Sequence, residues 1–111
     1  MNLIEAEVGP GSLRFGETVL PMANLPEAVA GRRTVVVGIR PETFTLGSAL
    51  NVQPELIENT GSDLYVNFHL GAKLVTARLG GRSHPGSDRI GLDVATETLR
   101  FFDVETGRLV A

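Results

Sequence analysis

Apolar and polar residues alternate most clearly between residues 62 and 70. Four apolar residues are separated there by three more polar ones, in the order Leu64, Tyr65, Val66, Asn67, Phe68, His69 and Leu70. Because successive side chains of a strand point to opposite faces, this alternation predicts a β-strand with one face in the core and one in water. Gly71 and Ala72 then form a two-residue hairpin loop, since glycine readily adopts a positive φ. Residues 73–79 return as a second strand, with a core face of Val75, Ala77 and Leu79.

Short apolar segments continue along the rest of the chain, separated by many of its 13 Gly and 6 Pro residues. Further strands are predicted at residues 3–8, 12–15, 18–21, 34–40, 52–59, 89–94 and 97–103, with a last short one at 108–110. Only residues 24–30 have the features of a helical turn, with Asn24 as the N-cap and Pro26 near the first helical position. Many short strands favour an all-β barrel or sandwich. The length of 111 residues predicts a single domain, residues 1–111.

Composition and charge exclude several classes of function. Ten basic and thirteen acidic residues give a net charge of -3, which provides no broad positive surface for nucleic acid. Aromatic residues make up 5% of the chain, too few for an OB-fold groove that stacks single-stranded bases. Cysteine is absent, which removes disulfides and thiolate chemistry. No apolar run approaches the roughly 20 residues of a membrane-spanning helix, and no signal peptide is visible, so we expect a cytoplasmic location.

The search for catalytic groups gives no strong candidate. The sequence contains no Gly-x-x-x-x-Gly-Lys-Ser/Thr phosphate-binding loop, and neither His69 nor His84 lies in a nucleophile-elbow context. The polar loop at residues 80–89 contains His84 and Asp88 and, with Arg78 before it, offers three arginines to an anion or a metal ion. We favour an exposed connecting loop, because a metal site needs three or more ligands at firm spacing. We therefore predict no catalytic residue, no cofactor and no metal site, and a surface or cross-strand role for His69.

Two adjacent aromatic residues near the end of the chain break the strand alternation. We expect one of the rings of Phe101 and Phe102 to pack in the core, and the other to face a second sheet or a second subunit. With Leu109 they supply more apolar surface than a small barrel must bury. Phe101, Phe102 and Leu109 are therefore the candidate interface residues.

Four segments, taken together and in order, resemble a known family. Residues 1–4 (M-N-L-I) resemble the junction at which the ATPase domain of sugar-importing ABC transporters passes into its C-terminal domain. Residues 58–63 and 102–109 resemble a strand opening and the closing F-D-x-x-T-G-x-x-L segment of that domain. The most specific segment resembles its G-[IV]-R-P-E signature and consists of Gly38, Ile39, Arg40, Pro41 and Glu42. The chain is thus similar to part of a maltose-type or glycerol-phosphate-type importer ATPase subunit.

The resemblance implies a transport-associated OB-like barrel (TOBE, MOP-like) with at most one helical turn. The ATP site of the family lies upstream of this domain, so the resemblance carries over no catalytic residue. It implies a regulatory platform that pairs with its twin as a weak homodimer, and that contacts the nucleotide-binding domain, the membrane subunits and a cytoplasmic regulatory protein. It also implies a position on the inner face of the cell membrane. Thr43 stands where the family often has His, and residues 47–51 form a short segment for the family, which leaves the subfamily and the solute open.

The Arg-Pro-Glu run also has a local physical explanation. Pro41 has no N–H to donate and biases Arg40 toward an extended conformation, so the strand must stop or bend there. Glu42 then pairs with Arg40 or accepts backbone N–H groups, and we prefer this structural role to ligand binding. A rival function is a barrel that binds an oxyanion or a sugar, as molybdate-binding barrels do. Against it, no Ser/Thr/Lys-rich anion motif is present and Lys73 is the only lysine.

Overall fold

The computed structural model describes residues 1–81 and 88–111. Within these residues, ten strands and three short helical turns follow one another, which confirms the all-β prediction. The strands are β1 (Asn2–Gly9), β2 (Ser12–Phe15), β3 (Thr18–Pro21), β4 (Thr34–Ile39), β5 (Phe44–Val52), β6 (Pro54–Asn59), β7 (Asp63–Leu70), β8 (Lys73–Gly80), β9 (Ile90–Val94) and β10 (Arg100–Phe102). The turns are helix α1 (Glu27–Ala30) and two 3-10 turns, Pro41–Thr43 and Thr96–Thr98. Among the described residues, none of the helical segments could span a lipid bilayer.

The strands form three antiparallel sheets around one core. The first has five strands in the order β10-β4-β1-β2-β3, the second pairs β5 with β9, and the third has the order β6-β7-β8. The predicted hairpin between β7 and β8 is present, and Gly71 at its tip has a φ of 63°. Gly16 turns β2 into β3 in the same way, with a φ of 62°.

The predicted alternation along β7 and β8 is confirmed by burial. The core faces of these two strands are buried, and they consist of Leu64, Val66, Phe68, Leu70, Val75, Ala77 and Leu79. Phe68 meets Phe44 of the second sheet edge to face, with ring centroids 5.6 Å apart. Ile4 and Ala6 of β1 and Phe15 of β2 extend the same core from the five-stranded sheet. One contiguous core therefore joins the three sheets, as expected of a small barrel.

Several boundaries differ from the prediction. Strand β5 was not predicted, because the exposed residues 45–49 show no alternation and a β-bulge lies between Leu46 and Leu50. The predicted strand at residues 97–103 begins instead as a 3-10 turn, and only Arg100–Phe102 is a strand. Helix α1 has Pro26 at its N-cap position without a side-chain cap, so the predicted capping role of Asn24 is wrong. The predicted last strand is reduced to a single bridge between Phe102 and Leu109.

Candidate functional site

The Arg-Pro-Glu segment forms the corner at which β4 ends. Ile39 is the last residue of the strand and is buried, and Pro41 starts the 3-10 turn, so the predicted stop is confirmed. Arg40 and Glu42 are both exposed, and neither side chain forms a hydrogen bond or an ion pair with any described residue. The expected pairing of Glu42 with Arg40 is therefore wrong. The N–H of Thr43 donates to the Arg40 carbonyl at 3.0 Å and closes the turn without a carboxylate.

Gly38 has a packing reason to be glycine. A Cβ at this position would lie 2.6 Å from the Met1 Sδ and 3.0 Å from Cε2 of the Phe102 ring. Both distances are shorter than a Cβ normally shows, so a side chain at this position would push Met1 and Phe102 away from the strand. The glycine of the signature thus lets an apolar layer lie flat on β4.

Asn2 joins the five-stranded sheet to the three-stranded sheet. Its Nδ2 donates to the carbonyls of Ile39 and Thr76, each at 3.0 Å, and its Oδ1 accepts the N–H of Thr76 at 3.1 Å. Thr76 lies in β8, whose ladder partner is β7, so these contacts satisfy backbone groups on the other side of β8. The Asn2 side chain therefore supplies hydrogen bonds between β1 and β8 where the two strands form no backbone ladder.

Asp103 organises the turn that follows β10. Its carboxylate accepts the backbone N–H groups of Glu105 and Thr106 at 2.9 and 2.8 Å and the guanidinium of Arg32 at 2.7 Å. The N–H of Thr106 and the guanidinium of Arg32 lower the pKa of this carboxyl from 3.8 to about 2. The Asp of the closing segment thus has a structural role within the domain.

Asp93 stabilises the bulge in β5 by accepting backbone hydrogen bonds, as Asp103 does in its turn. Its carboxylate accepts the N–H groups of Ser48 and Ala49 at 2.9 and 3.0 Å, which lowers the pKa of the Asp93 carboxyl. A Cβ on Gly47 would overlap the Asp93 carboxylate, so a larger residue at this position would displace it. No local pattern predicts this contact, because the partners lie more than 40 residues apart along the chain.

The outward side of the five-stranded sheet carries an exposed apolar patch. Leu3 and Met1 are 49% and 54% exposed, and Leu109 is 62% exposed beside the half-buried Phe102. Met1, Leu3 and Phe102 lie around Gly38, the half-buried Val36 lies in the next row of the sheet, and Leu109 lies beyond Phe102. We call this surface the outer face: Met1, Leu3, Val36, Phe102 and Leu109.

Phe101, a predicted interface residue, belongs to the core instead. It pairs with Val37 on the inward side of the sheet and is 2% exposed. The candidate interface therefore reduces to Phe102 and Leu109, with Leu3 and Met1 as neighbours that the sequence did not single out.

The described residues contain no cluster of metal ligands. No three His, Asp or Glu side chains within residues 1–81 and 88–111 are grouped as metal ligands would be. His69 pairs with Glu55 across the strands, its Nδ1 2.8 Å from the carboxylate, as its predicted cross-strand role requires. Every buried side-chain nitrogen and oxygen of the described chain has a hydrogen-bond partner. The loop at residues 80–89 falls largely outside the described residues, and so does His84.

An open cleft lies at one end of the barrel. It separates the residues just before helix α1 from the Thr96–Thr98 turn. It has a volume of about 360 Å³, and its lining includes Asn24, Glu97 and Arg100. None of the described residues that line the cleft has a buried side-chain nitrogen or oxygen without a hydrogen-bond partner.

Comparison with known proteins agrees with this architecture. Residues 1–44 match the model of the family described as "MalK OB fold domain". The chain is 39% identical to the sn-glycerol-3-phosphate import ATP-binding protein UgpC of Chromobacterium violaceum, over 99% of this chain and 32% of that protein. It is 36% identical to the sulfoquinovosyl glycerol transport ATP-binding protein SmoE of Agrobacterium fabrum, over 99% of this chain and 33% of that protein.

A third relative widens the range of named solutes. The diacetylchitobiose uptake system ATP-binding protein MsiK of Streptomyces coelicolor is 33% identical over 60% of this chain and 23% of its own length. The chain spans about a third of the length of the first two relatives. These similarities support an OB-fold domain of the kind found in the ATP-binding subunits of importers for glycerol phosphate and sugar derivatives.

Proposed function

We propose that this chain is a non-catalytic regulatory and dimerisation domain, of the transport-associated OB type, in the ATP-binding subunit of an ABC importer for a carbohydrate-type solute. The observation that carries the proposal is the similarity over 99% of the chain to part of two such import proteins. The matched region lacks a phosphate-binding loop in this sequence, which supports a non-catalytic role for it.

The parent subunit would couple ATP hydrolysis to import. Its partners would be the nucleotide-binding domain, the membrane subunits and a cytoplasmic regulatory protein, on the inner face of the membrane. The relatives are named for import of sn-glycerol-3-phosphate, transport of sulfoquinovosyl glycerol and uptake of diacetylchitobiose, which supports a solute of this class.

The dimerisation half of the proposal rests on the exposed apolar side chains of the outer face. Leu109 is exposed beside Phe102, and Leu3 is exposed two strands away. Sedimentation equilibrium from micromolar to millimolar chain should show the apparent mass rising from 11.8 kDa toward twice that value. A dissociation constant in the micromolar range or weaker is expected, about 8 kcal/mol of binding free energy or less. A monomer mass at millimolar chain contradicts this half.

A domain exchange tests the other part of the proposal, that this chain belongs to the ATP-binding subunit of an importer. This chain would replace the matching region of the Chromobacterium violaceum relative, and import of sn-glycerol-3-phosphate would be measured in cells that lack the native subunit. We expect the exchanged subunit to retain import, and a subunit truncated before this region to lose much of it. The matched control is the exchanged subunit carrying Phe68→Ala, which disrupts the buried core. Loss of import with the exchanged subunit, at normal expression, would count against the proposal.

A further inference from the structure

Strand β6 lies at the edge of its sheet. It pairs with β7 on one side and with no strand of the described chain on the other. The edge of β10, by contrast, is covered by residues near the chain's end, because the Phe101 N–H donates to the Ala111 carbonyl at 2.8 Å and the Val110 N–H to the Phe101 carbonyl at 2.7 Å. Every residue of β6 after Pro54 is exposed. Such an edge is open to an added strand.

The pairing of the β6–β7 hairpin shows which backbone groups point to the free side. The Thr60 N–H donates to the Asp63 carbonyl at 2.9 Å, so these two residues form a hydrogen-bonded pair. Opposite residues of antiparallel strands alternate between bonded and non-bonded pairs. Glu58 therefore bonds to β7, and Ile57 and Asn59 on either side of it are at non-bonded positions. Their N–H and C=O groups point away from β7, and no hydrogen bond to them is present among the described residues.

Two apolar side chains flank these backbone groups. Ile57 is 40% exposed on the face of the strand that it shares with Val66, and Leu56 is 52% exposed on the opposite face. An added strand would cover part of both side chains, so it would gain apolar contacts as well as backbone hydrogen bonds. Pro54 and the bulge before Leu56 obstruct the start of β6, which confines the addition to residues 56–59.

The charge nearest to this edge is negative. Glu58 forms no ion pair with a described residue. Arg78 lies in the same row but two strands away, beyond Tyr65, which at the usual strand spacing is about 10 Å. Glu55 is paired with His69 at 2.8 Å. Glu58 is therefore the charge on β6 that a bound strand would meet.

The other charges of the β7–β8 hairpin do not neutralise Glu58. Asp63 shares the outward face of the sheet with Glu58, and it forms no ion pair within the described chain. Lys73 lies at the far end of the hairpin, in a recess with Leu3 and Glu5. Five rows of the sheet separate Lys73 from the row of Glu58, about 17 Å, which is beyond the screening length of roughly 8 Å at physiological salt.

We propose that the free side of β6 binds an extended segment of a partner protein as an added strand, and that this segment alternates basic and apolar residues. The proposal does not depend on the dimerisation proposed above. A basic residue opposite Glu58 pairs with its carboxylate, and the apolar residue next to it covers Ile57.

A second copy of β6 is a poor occupant of the same edge. Where Ile57 of one copy faces Asn59 of the other, Glu58 lies directly opposite Glu58 of the copy, and like charges in that position destabilise a strand pair. Where Ile57 faces Ile57, the two Glu58 side chains are diagonal neighbours, still within about 8 Å. The acidic edge thus disfavours its own copy and favours a basic strand.

Titration with a synthetic peptide tests the added strand. The probe is acetyl-T-R-V-R-V-R-T-amide at low salt, followed through the amide NMR signals of the isotope-labelled chain. We expect the N–H signals of Ile57 and Asn59 to shift, and their hydrogen exchange to slow at least tenfold at saturating peptide. A peptide with Glu in place of each Arg should bind at least tenfold more weakly. So should the Arg peptide with both valines N-methylated, because it lacks the donors to the β6 carbonyls.

A charge exchange identifies the residue that selects the peptide. Glu58→Lys should weaken binding of the Arg peptide at least fivefold and strengthen binding of the Glu peptide by a similar factor. Glu17→Lys is the matched control, since it makes the same charge change at an exposed residue of the β2–β3 turn, and it should alter either affinity less than twofold.

Four results would overturn the proposal. In the first, the Ile57 and Asn59 signals do not move at millimolar Arg peptide. In the second, the Arg and Glu peptides bind the native chain equally well. In the third, both N–H groups already exchange slowly in the free chain, which shows that the chain covers the edge itself. In the fourth, their signals shift as the concentration of the chain alone rises, which identifies the occupant as a second copy.

Discussion

Replacement of Asn2 by alanine should destabilise the domain more than its position near the start of the chain suggests. The Asn2 amide makes three hydrogen bonds, to Ile39 O, Thr76 O and Thr76 N, at 3.0, 3.0 and 3.1 Å. No other side chain bonds these backbone groups among the described residues. Truncation to alanine therefore removes the side chain that bonds the Thr76 N–H and the carbonyl groups of Ile39 and Thr76 at the junction of β1 and β8.

The magnitude follows from the number of bonds and their partial burial. A hydrogen bond contributes about 0.5–1.5 kcal/mol to stability, so three bonds correspond to about 1.5–4.5 kcal/mol. Asn2 is half-buried, so water can replace some of the hydrogen bonds that are lost with the amide. We expect a loss of about 2 kcal/mol in the free energy of unfolding, which lowers the thermal midpoint by about 8 °C for a domain of this size.

Urea unfolding followed by circular dichroism measures this loss. The matched control is Asn24→Ala, since Asn24 is exposed and its side chain forms no hydrogen bond with the described residues. That variant should stay within about 0.5 kcal/mol of the native chain. Asn2→Asp keeps the acceptor for Thr76 N–H but faces two carbonyl oxygens with a carboxylate, so it should lose at least as much stability as Asn2→Ala. If Asn2→Ala matches Asn24→Ala, the amide does not hold the two sheets together.

Three further outcomes are expected. Phe68→Ala should cost about 3–5 kcal/mol of unfolding free energy, because the buried ring also packs on Phe44, whereas the exposed His69→Ala should cost less than about 1 kcal/mol in the same urea titration. The Asp103 carboxyl has a folded pKa of about 2 and an ordinary value of 3.8, so its stabilisation should be complete above the ordinary value and lost as the pH falls from about 4 to about 2. The stability difference between the native chain and Asp103→Asn, measured along that pH range, should shrink accordingly, and a constant difference would refute the link. The chain should release no phosphate from ATP above a protein-free control in a coupled assay, and turnover that survives repurification would contradict the non-catalytic assignment.

The local alternation of apolar and polar residues was sufficient to predict a strand wherever one face of the strand is buried and the other is exposed to water. The β7–β8 hairpin is the clearest case, because burial of Leu64, Val66 and Phe68 imposes a period of two that can be read directly. Strands Ser12–Phe15 and Thr18–Pro21 were also predicted with the bounds that the structure has. Their turn needs a residue at positive φ, and Gly16 supplies it.

Long-range contacts determined the rest. Strand β5 carries no alternation over residues 45–49, and its bulge is held by Asp93, which lies far along the chain. The closure at Asn2 joins residues 74 positions apart. The assignment of Phe101 to the core and Phe102 to the surface depends on the register of β10 against β4. The sequence by itself determined the strand-rich class and the central hairpin, because periodicity records local burial. Only the tertiary structure decided the bulge, the closure and the outer face, because these depend on which distant backbone groups and side chains meet.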